Sequence, residues 1–191
     1  MSTSQNIPAD TGVKELLSDL MPVIAKEQLA QGNAKADLAG TEISMVIEVD
    51  GANYGYRVKD GADIEFISDN HIDNPMLRLQ VSESDLQKMI QTNNLDIILG
   101  MQNDLNRAKY NAISSLKGSF IAEIANDDGS TFKINAILNG AESPSSVFKM
   151  TAADTGALMR KETNPVNLFM SGAMKIEGDM AFAMATQPLF T

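Results

Sequence analysis

The residues best equipped for chemistry lie in Ser68-Asp69-Asn70-His71-Ile72-Asp73-Asn74. Asp69, His71 and Asp73 alternate along the chain, and an imidazole with two carboxylates can approach a divalent cation. His71 is the single histidine among 191 residues, and there is no cysteine. That excludes a site with two imidazoles, a thiol nucleophile, a zinc–cysteine centre, an iron–sulfur cluster and a disulfide. The same stretch is dense in turn-forming residues, so a solvated loop accounts for it without a metal. Asn126-Asp127-Asp128-Gly129 has a calcium-loop composition but lacks the ordered ligand spacing and the distal glutamate, and a hairpin turn accounts for it. The G-x-S-x-G, G-x-x-x-x-G-K-[ST] and G-x-G-x-x-G patterns do not occur. An acidic chain offers many carboxylate pairs, and none stands out as acid and base. The residues point away from an enzyme, and they imply no cofactor and no metal.

With 15 basic and 25 acidic residues the formal net charge is −10. Phosphate recognition needs clustered Lys and Arg, and here they are dispersed among more numerous acids, so nucleic acid is not an expected partner. A hydrophobic content of 43% excludes a disordered chain. The length suits one large domain or two small ones at about 100–200 residues each. Met1 to Thr11 has no positive charge ahead of an apolar run, so it does not read as a secretory signal. Residues 1–12 read as a frayed terminus. The longest uncharged runs, Thr163–Met174 and Met180–Thr191, are 12 residues each. A membrane span needs about 20, so no integral membrane segment is expected. The balance suits a cytoplasmic protein.

The elements that must position any site follow from periodicity. Val13 to Gln31 carries Val13, Leu16, Leu17, Leu20, Met21 and Ile24 at helical spacing, with Pro22 as a point of kinking and Gly32 as a C-cap. Glu42–Asp50 and Tyr54–Lys59 read as strands around Asp50-Gly51, a hairpin signal. Ala62–Ile67 and Met76–Val81 add two more. Ser82-Glu83-Ser84-Asp85 has the pattern of a capping box, opening a helix with Leu86, Met89 and Ile90. Asn93 to Leu116 reads as one longer helix, with Leu95, Ile98, Met101, Leu105, Ala108, Ala112 and Leu116 along one face. Strands at Ser119–Asn126, Thr131–Leu138 and Ser146–Met150 follow. Thr151-Ala152-Ala153-Asp154 starts another helix, Asn164-Pro165 breaks it, Ala173–Glu177 is a last short strand, and Met180–Thr186 a last apolar helix.

The order of elements recurs. Gly51-Ala52-Asn53-Tyr54 answers Gly129-Ser130-Thr131-Phe132, and Val81-Ser82-Glu83-Ser84-Asp85 answers Met150-Thr151-Ala152-Ala153-Asp154. An internal repeat is one reading; two unrelated hairpin-plus-helix units is the other. On the repeat reading, residues 13–100 form a degenerate unit and 101–191 the second, packed together as one globular body.

The stretch Phe169-Met170-Ser171-Gly172-Ala173-Met174-Lys175-Ile176-Glu177-Gly178-Asp179-Met180-Ala181-Phe182-Ala183-Met184 resembles the closing motif of the sterol carrier protein lipid-binding domain family. That family typically ends on a bulky apolar pair, a Gly, a strand of the type K-[LM]-K-[IV]-x-G-[DN]-M and a small-residue apolar helix. The upstream pieces match in order, so the resemblance covers about Gly118 to Leu189. The ending Pro188-Leu189-Phe190-Thr191 differs from the peroxisomal signal of the family's animal members, so that destination is not implied.

The resemblance implies an α/β (α+β) fold, with a mainly antiparallel sheet covered by helices and a hydrophobic tunnel between them. The tunnel would take a fatty acyl chain, acyl-CoA, phospholipid or isoprenoid by burial, without turnover. Ile137, Phe148, Leu158, Phe169, Met174, Met180, Phe182 and Met184 are the expected lining. The composition agrees: six of the twelve methionines lie in Met150 to Met184, and methionine adapts to irregular apolar ligands. An ordinary Met-rich core is the competing reading of the same residues. The alternative function is an accessory or scaffold protein that presents a lipid intermediate to a partner enzyme or forms a homodimer. A lipid ester hydrolase or transferase is the remaining class. The loop reading of His71 makes a prediction: His71→Ala should change stability by under about 0.5 kcal/mol in urea unfolding. A chelator that lowers the melting temperature of the wild type would instead establish a metal there.

Overall fold

Asp50 and Gly51 both have positive φ, 47° and 90°. A two-residue hairpin that follows the twist of its strands needs that backbone, and Asp-Gly supplies it at low cost. In the computed structural model, which describes residues 7–68, 72–99 and 105–190, this turn joins β1 (Glu42–Val49) to β2 (Ala52–Lys59), with Val49 opposite Ala52. A second tight turn at Asp60-Gly61, again with positive φ at both residues, leads into β3 (Asp63–Ser68) beside β2. The chain then returns to the far side of β1, where β4 (Leu77–Val81) lies parallel to it. On the way Ile72 covers Gly55 so closely that a Cβ there would stand 2.8 Å from the Ile72 Cδ1. Asp69, Asn70 and His71 lie outside the described residues.

The second half repeats the operation. β5 (Gly118–Ala125) pairs antiparallel with β6 (Thr131–Leu138), and β7 (Ser145–Thr151) lies parallel to β5 on its other side. β8 (Lys175–Gly178) closes that edge against β7. In both halves the first hairpin strand lies between its hairpin partner and a parallel strand, β2-β1-β4 and β6-β5-β7. The halves meet where β4 pairs antiparallel with β6, giving one eight-stranded sheet of order β3-β2-β1-β4-β6-β5-β7-β8. Five of its seven pairings are antiparallel and two parallel. The mainly antiparallel α+β fold expected from the sequence is the one observed.

The two faces differ, as period-2 strands require. One face is polar. Arg57 bridges Glu42 at 3.0 Å and Glu65 at 3.7 Å, Gln80 links Glu48 to Asn135, and Lys149 sits between Glu123 and Glu177. The other carries Ile47, Tyr56, Leu79, Phe120, Ile134 and Phe148, and the helices cover it. α1 (Val13–Glu15), a π-helical turn Leu16–Leu20 and α2 (Met21–Gln31) run on continuously. Pro22 has no N–H to give the preceding turn, and the wider turn sits just before it. The Tyr56 hydroxyl donates to the Leu17 carbonyl in that turn, which fixes the helix over β2. α3 (Ala34–Asp37) follows.

α4 (Glu83–Gln91) and α7 (Ala152–Met159) each begin directly after a parallel strand. The Ser82 and Thr151 hydroxyls accept from the N–H of Asp85 and Asp154, each at 3.1 Å. Lys88 of α4 reaches Asp128 in the β5–β6 turn at 2.6 Å, and its hydrogen bond holds that carboxyl well below the usual carboxylate range. The expected helix over Asn93–Leu116 is not one helix. The described residues show α5 (Asp96–Leu99) and α6 (Arg107–Ser115), while Met101 lies outside them. Asn106 is extended, with φ −141° and ψ 177°, and its side chain caps the Lys109 N–H, so it starts a new helix instead of continuing an old one. α8 (Pro165–Met170), α9 (Met180–Ala185) and a 3₁₀ turn Gln187–Phe190 complete the cover, with Asn164 and Asp179 as side-chain caps. Among the described residues no helix is long and apolar enough to cross a membrane.

Because Ser82 and Thr151 cap helices that pack on the same face of the sheet, Ser82→Ala and Thr151→Ala should each cost about 1 kcal/mol. Urea unfolding of the two single variants and the double variant checks this. The sites are on different helices, so the losses should add.

Candidate functional site

The inner face of β5 to β8 is uneven by sequence. Phe120 lies opposite Ala136, and Ala122 lies between Ile134 and Phe148, so large side chains border small ones. A hollow of about 310 Å³ stands above the alanines. Its floor is Phe120, Ala122, Ile124, Ile134, Ala136, Phe148 and Met150, with Ile176 at the β8 edge. Thr155, Leu158 and Met159 of α7 form one wall. Val166, Phe169 and Met170 of α8 and Ala183 and Met184 of α9 form the rim. Phe120, Phe148 and Phe190 meet edge to face with centroids 5.4–6.3 Å apart, so the C-terminal 3₁₀ turn closes one end.

The lining is almost wholly apolar. The Thr155 and Thr186 hydroxyls are taken by the carbonyls of Thr151 and Ala183, at 2.8 and 2.7 Å. Gln187, half-buried, is the remaining polar residue of the lining. The rim is open: Met170 is 78% exposed, Met184 55% and Phe169 46%. Large exposed apolar side chains clustered round an apolar hollow mark a place of binding.

The first half supplies part of the wall. Leu79 of β4 and Ile97 and Ile98 of α5 face the hollow. α5 is held against α7 by Asp96, which is buried and receives the Arg160 guanidinium at 3.4 Å. Arg160 also forks onto Glu162, and that hydrogen bond raises the guanidinium pKa further and lowers that of Glu162. Next to this hollow, under the first half, is a smaller one of about 70 Å³ lined by Ala25, Met45, Val58 and the buried Lys109, among others. Tyr56 stands there too; burial pushes its phenol far up, so it remains a neutral donor to Leu17.

Of the residues expected to line a tunnel, Phe148, Leu158, Phe169, Met174 and Met184 surround the larger hollow. Three lie elsewhere. Ile137 is opposite Ser119 and Arg78, on the polar face of the sheet. Met180 is exposed at the start of α9. Phe182 is buried in the core, with its ring so near Gly118 that a Cβ there would come within 2.5 Å of it. The sequence reading had omitted Phe120, Ala122, Ile134, Ala136 and Phe190. Strand parity would have found most of them, since Phe120, Ala122 and Ile124 alternate with Ser119, Ile121 and Glu123. Among the described residues no group of three or more His, Asp or Glu is placed to hold a metal ion.

A family model fits this half of the chain. Residues 99–191 match the SCP-2 sterol transfer family. The sterol-transfer match begins in α5 and so takes in the whole of the larger hollow except Leu79, Ile97 and Ile98. No curated protein matches the sequence. Three solved structures are similar to parts of the chain. Sterol carrier protein 2 from Yarrowia lipolytica, in its apo form, is 24% identical over 45% of this chain and 83% of its own, with a TM-score of 0.33. The sterol carrier protein domain 2 of Helicoverpa armigera is 22% identical over 52% of this chain and 84% of its own, with a TM-score of 0.37. A UbiJ-SCP2 ubiquinone synthesis protein is 11% identical and aligns over 94% of this chain and 93% of its own, with a TM-score of 0.30.

The Asp96–Arg160 contact joins the first half to the sterol-transfer half at the wall of the hollow. Arg160→Met should therefore destabilise the protein by about 1.5–3 kcal/mol, the range for a hydrogen bond to a charged group. Urea unfolding checks the loss, and hydrogen exchange should show α5 and α7 losing protection before the β5–β7 strands.

Proposed function

We propose that the protein binds and carries a lipid or other long apolar ligand without turning it over. The observation that carries this reading is the apolar hollow inside the sterol-transfer half, with its exposed apolar mouth. Sealed and empty, a space of 310 Å³ would cost on the order of 7 kcal/mol at about 24 cal/mol per Å³. That is comparable to the whole stability of a domain, about 5–15 kcal/mol. A guest recovers much of it. An acyl chain of about 16 carbons gains roughly 12 kcal/mol at about 0.8 kcal/mol per methylene, against about 4–15 kcal/mol for association. The chain is bound by burial, and a polar head can stay in water at the open rim beside Phe169, Met170 and Met184.

The accessory reading has one observation in its favour. The uncharged stretch Thr163–Met174 puts Val166, Phe169 and Met170 on the surface beside the hollow, where a partner enzyme could receive the ligand. Residues 13–100 are, on our reading, a degenerate copy of residues 101–191; the common strand order supports it.

Organic extraction and mass spectrometry of the purified protein test carriage directly. A stoichiometric lipid is the expected result, and an empty protein that retains one enzyme through purification would favour the accessory role. Two variants sharpen the test. Ala136→Phe fills the floor of the hollow and should abolish binding of a fluorescent fatty acid. Met184→Asp sets a carboxylate at the rim and should weaken it more than tenfold, about 1.4 kcal/mol. Both should keep most of their stability in urea. Unchanged affinity in both would move the ligand away from this hollow.

A further inference from the structure

We propose that the two hollows are one ligand channel, and that the first half of the chain serves to lengthen it. This rests on the carriage reading and assigns to it a class of ligand: chains longer than the sterol-transfer half can bury alone. The larger hollow and the smaller one share two lining residues, Leu79 and Ile98. Those side chains therefore stand between the spaces. The 3₁₀ turn Gln187–Phe190 straddles the same boundary, with Phe190 facing the larger space and Leu189 the smaller. Four apolar side chains from three elements thus stand at the boundary: Leu79 of β4, Ile98 of α5, and Leu189 and Phe190 of the C-terminal turn. Neither residue common to both linings carries a charge or takes part in an ion pair.

The character of the partition decides what can cross it. Leu79 and Ile98 are buried, but each borders a void on either side, so a change of rotamer has space to move into. α5 is a single turn, four residues long, held to α7 through Asp96 and Arg160. A short element pinned at one end can yield more readily than a sheet strand. The smaller space continues the apolar surface in the same layer, between α2 and the β1–β3 strands, and only Lys109 and Tyr56 bring polar atoms to it. The Tyr56 hydroxyl is taken by the Leu17 carbonyl and Lys109 has an interaction of its own, so the head stays at the open rim of the larger space and the tail points toward α2. The acceptor is a single extended hydrocarbon tail, saturated or prenyl in type, and not a compact ring system that would be held entirely above Ala122 and Ala136.

The experiment measures the affinity of the purified full chain for a graded series of saturated fatty acids, from decanoate to tetracosanoate, by competition with a fluorescent fatty acid. Each buried methylene should raise affinity about fourfold, the equivalent of about 0.8 kcal/mol. Ala25→Leu fills the smaller space from α2, and Val58→Phe fills it from the sheet; neither residue touches the larger one. In the wild type, affinity should keep rising with length after both variants have reached a plateau, while decanoate binds all three alike. Two variants on separate elements keep the test usable if one fails to fold. If the variants follow the wild type at every length, the channel ends at Leu79 and Ile98 and the proposal is overturned, with carriage intact. Equal losses at all lengths, decanoate included, would likewise overturn it, since the smaller space would then act through general packing. If no fatty acid binds the wild type, carriage by this hollow fails and the extension fails with it.

Discussion

Between Leu77–Val81 and Ile134–Leu138 the two halves exchange backbone hydrogen bonds across an antiparallel ladder. Each half alone would leave a strand edge open there, β4 on one side and β6 on the other. An open apolar edge is a site for pairing with whatever strand is near. Closing it internally has a geometric consequence. β4 and β6 share one plane, so Leu79 must stand opposite Ala136 and on the same face. That single register brings a first-half side chain to the wall of the second-half hollow. It also lays one helical layer over both halves, with α5 forced between α4 and α7.

The hollow persists because filling it would need side chains that the strands do not provide. Close packing is the rule in protein interiors, and an unfilled apolar space forfeits dispersion contacts along its whole lining. Here Ala122 and Ala136 are framed by aromatic rings that are already engaged with one another and cannot turn inward. The helices above are short and end early: α8 at Met170 before Gly172, which has φ 80°, and α9 at Ala185 before Pro188. Short helices with apolar outer sides cannot collapse onto the sheet without losing their caps at Asn164 and Asp179. The fold is thus stiff below and loosely covered above.

Much of this was legible where the signal is local. Asp50-Gly51 fixes a hairpin through its backbone preference, and Ser82 and Thr151 mark helix starts through one side-chain hydrogen bond each. The closing motif from Phe169 to Met184 carried the resemblance to the sterol carrier family, whose model matches residues 99–191. What was not legible depends on partners distant in sequence. Ile137 sits in the apolar run Ala136-Ile137-Leu138, and only the pairing with Ser119 and Arg78 reveals that it faces away from the hollow. The heptad-like spacing from Leu95 to Leu116 suggested one helix, but an extended Asn106 with a satisfied cap outweighed periodicity. The role of Leu79, Ile97 and Ile98 follows from the β4–β6 ladder, which no local pattern announces.

The last helix illustrates how one short element divides its duties by face. Its sequence, Met180 to Ala185, is apolar all round, which in isolation argues for complete burial. The structure buries only Phe182 and Ala183 fully. Phe182 presses on Gly118 at the start of β5, and the backbone there, with φ 152° and the Pro144 carbonyl alongside, leaves no room for a side chain. This contact fixes where α9 sits. Met184, two residues on, is then carried to the rim of the hollow. A flexible thioether on a rigid mount can adapt to different guests without disturbing the mount. Phe182 and Met184 lie on different faces of the same turn and a half, so one packs in the core while the other stands exposed at the rim, and Ala183 between them lets the helix lie close to the sheet.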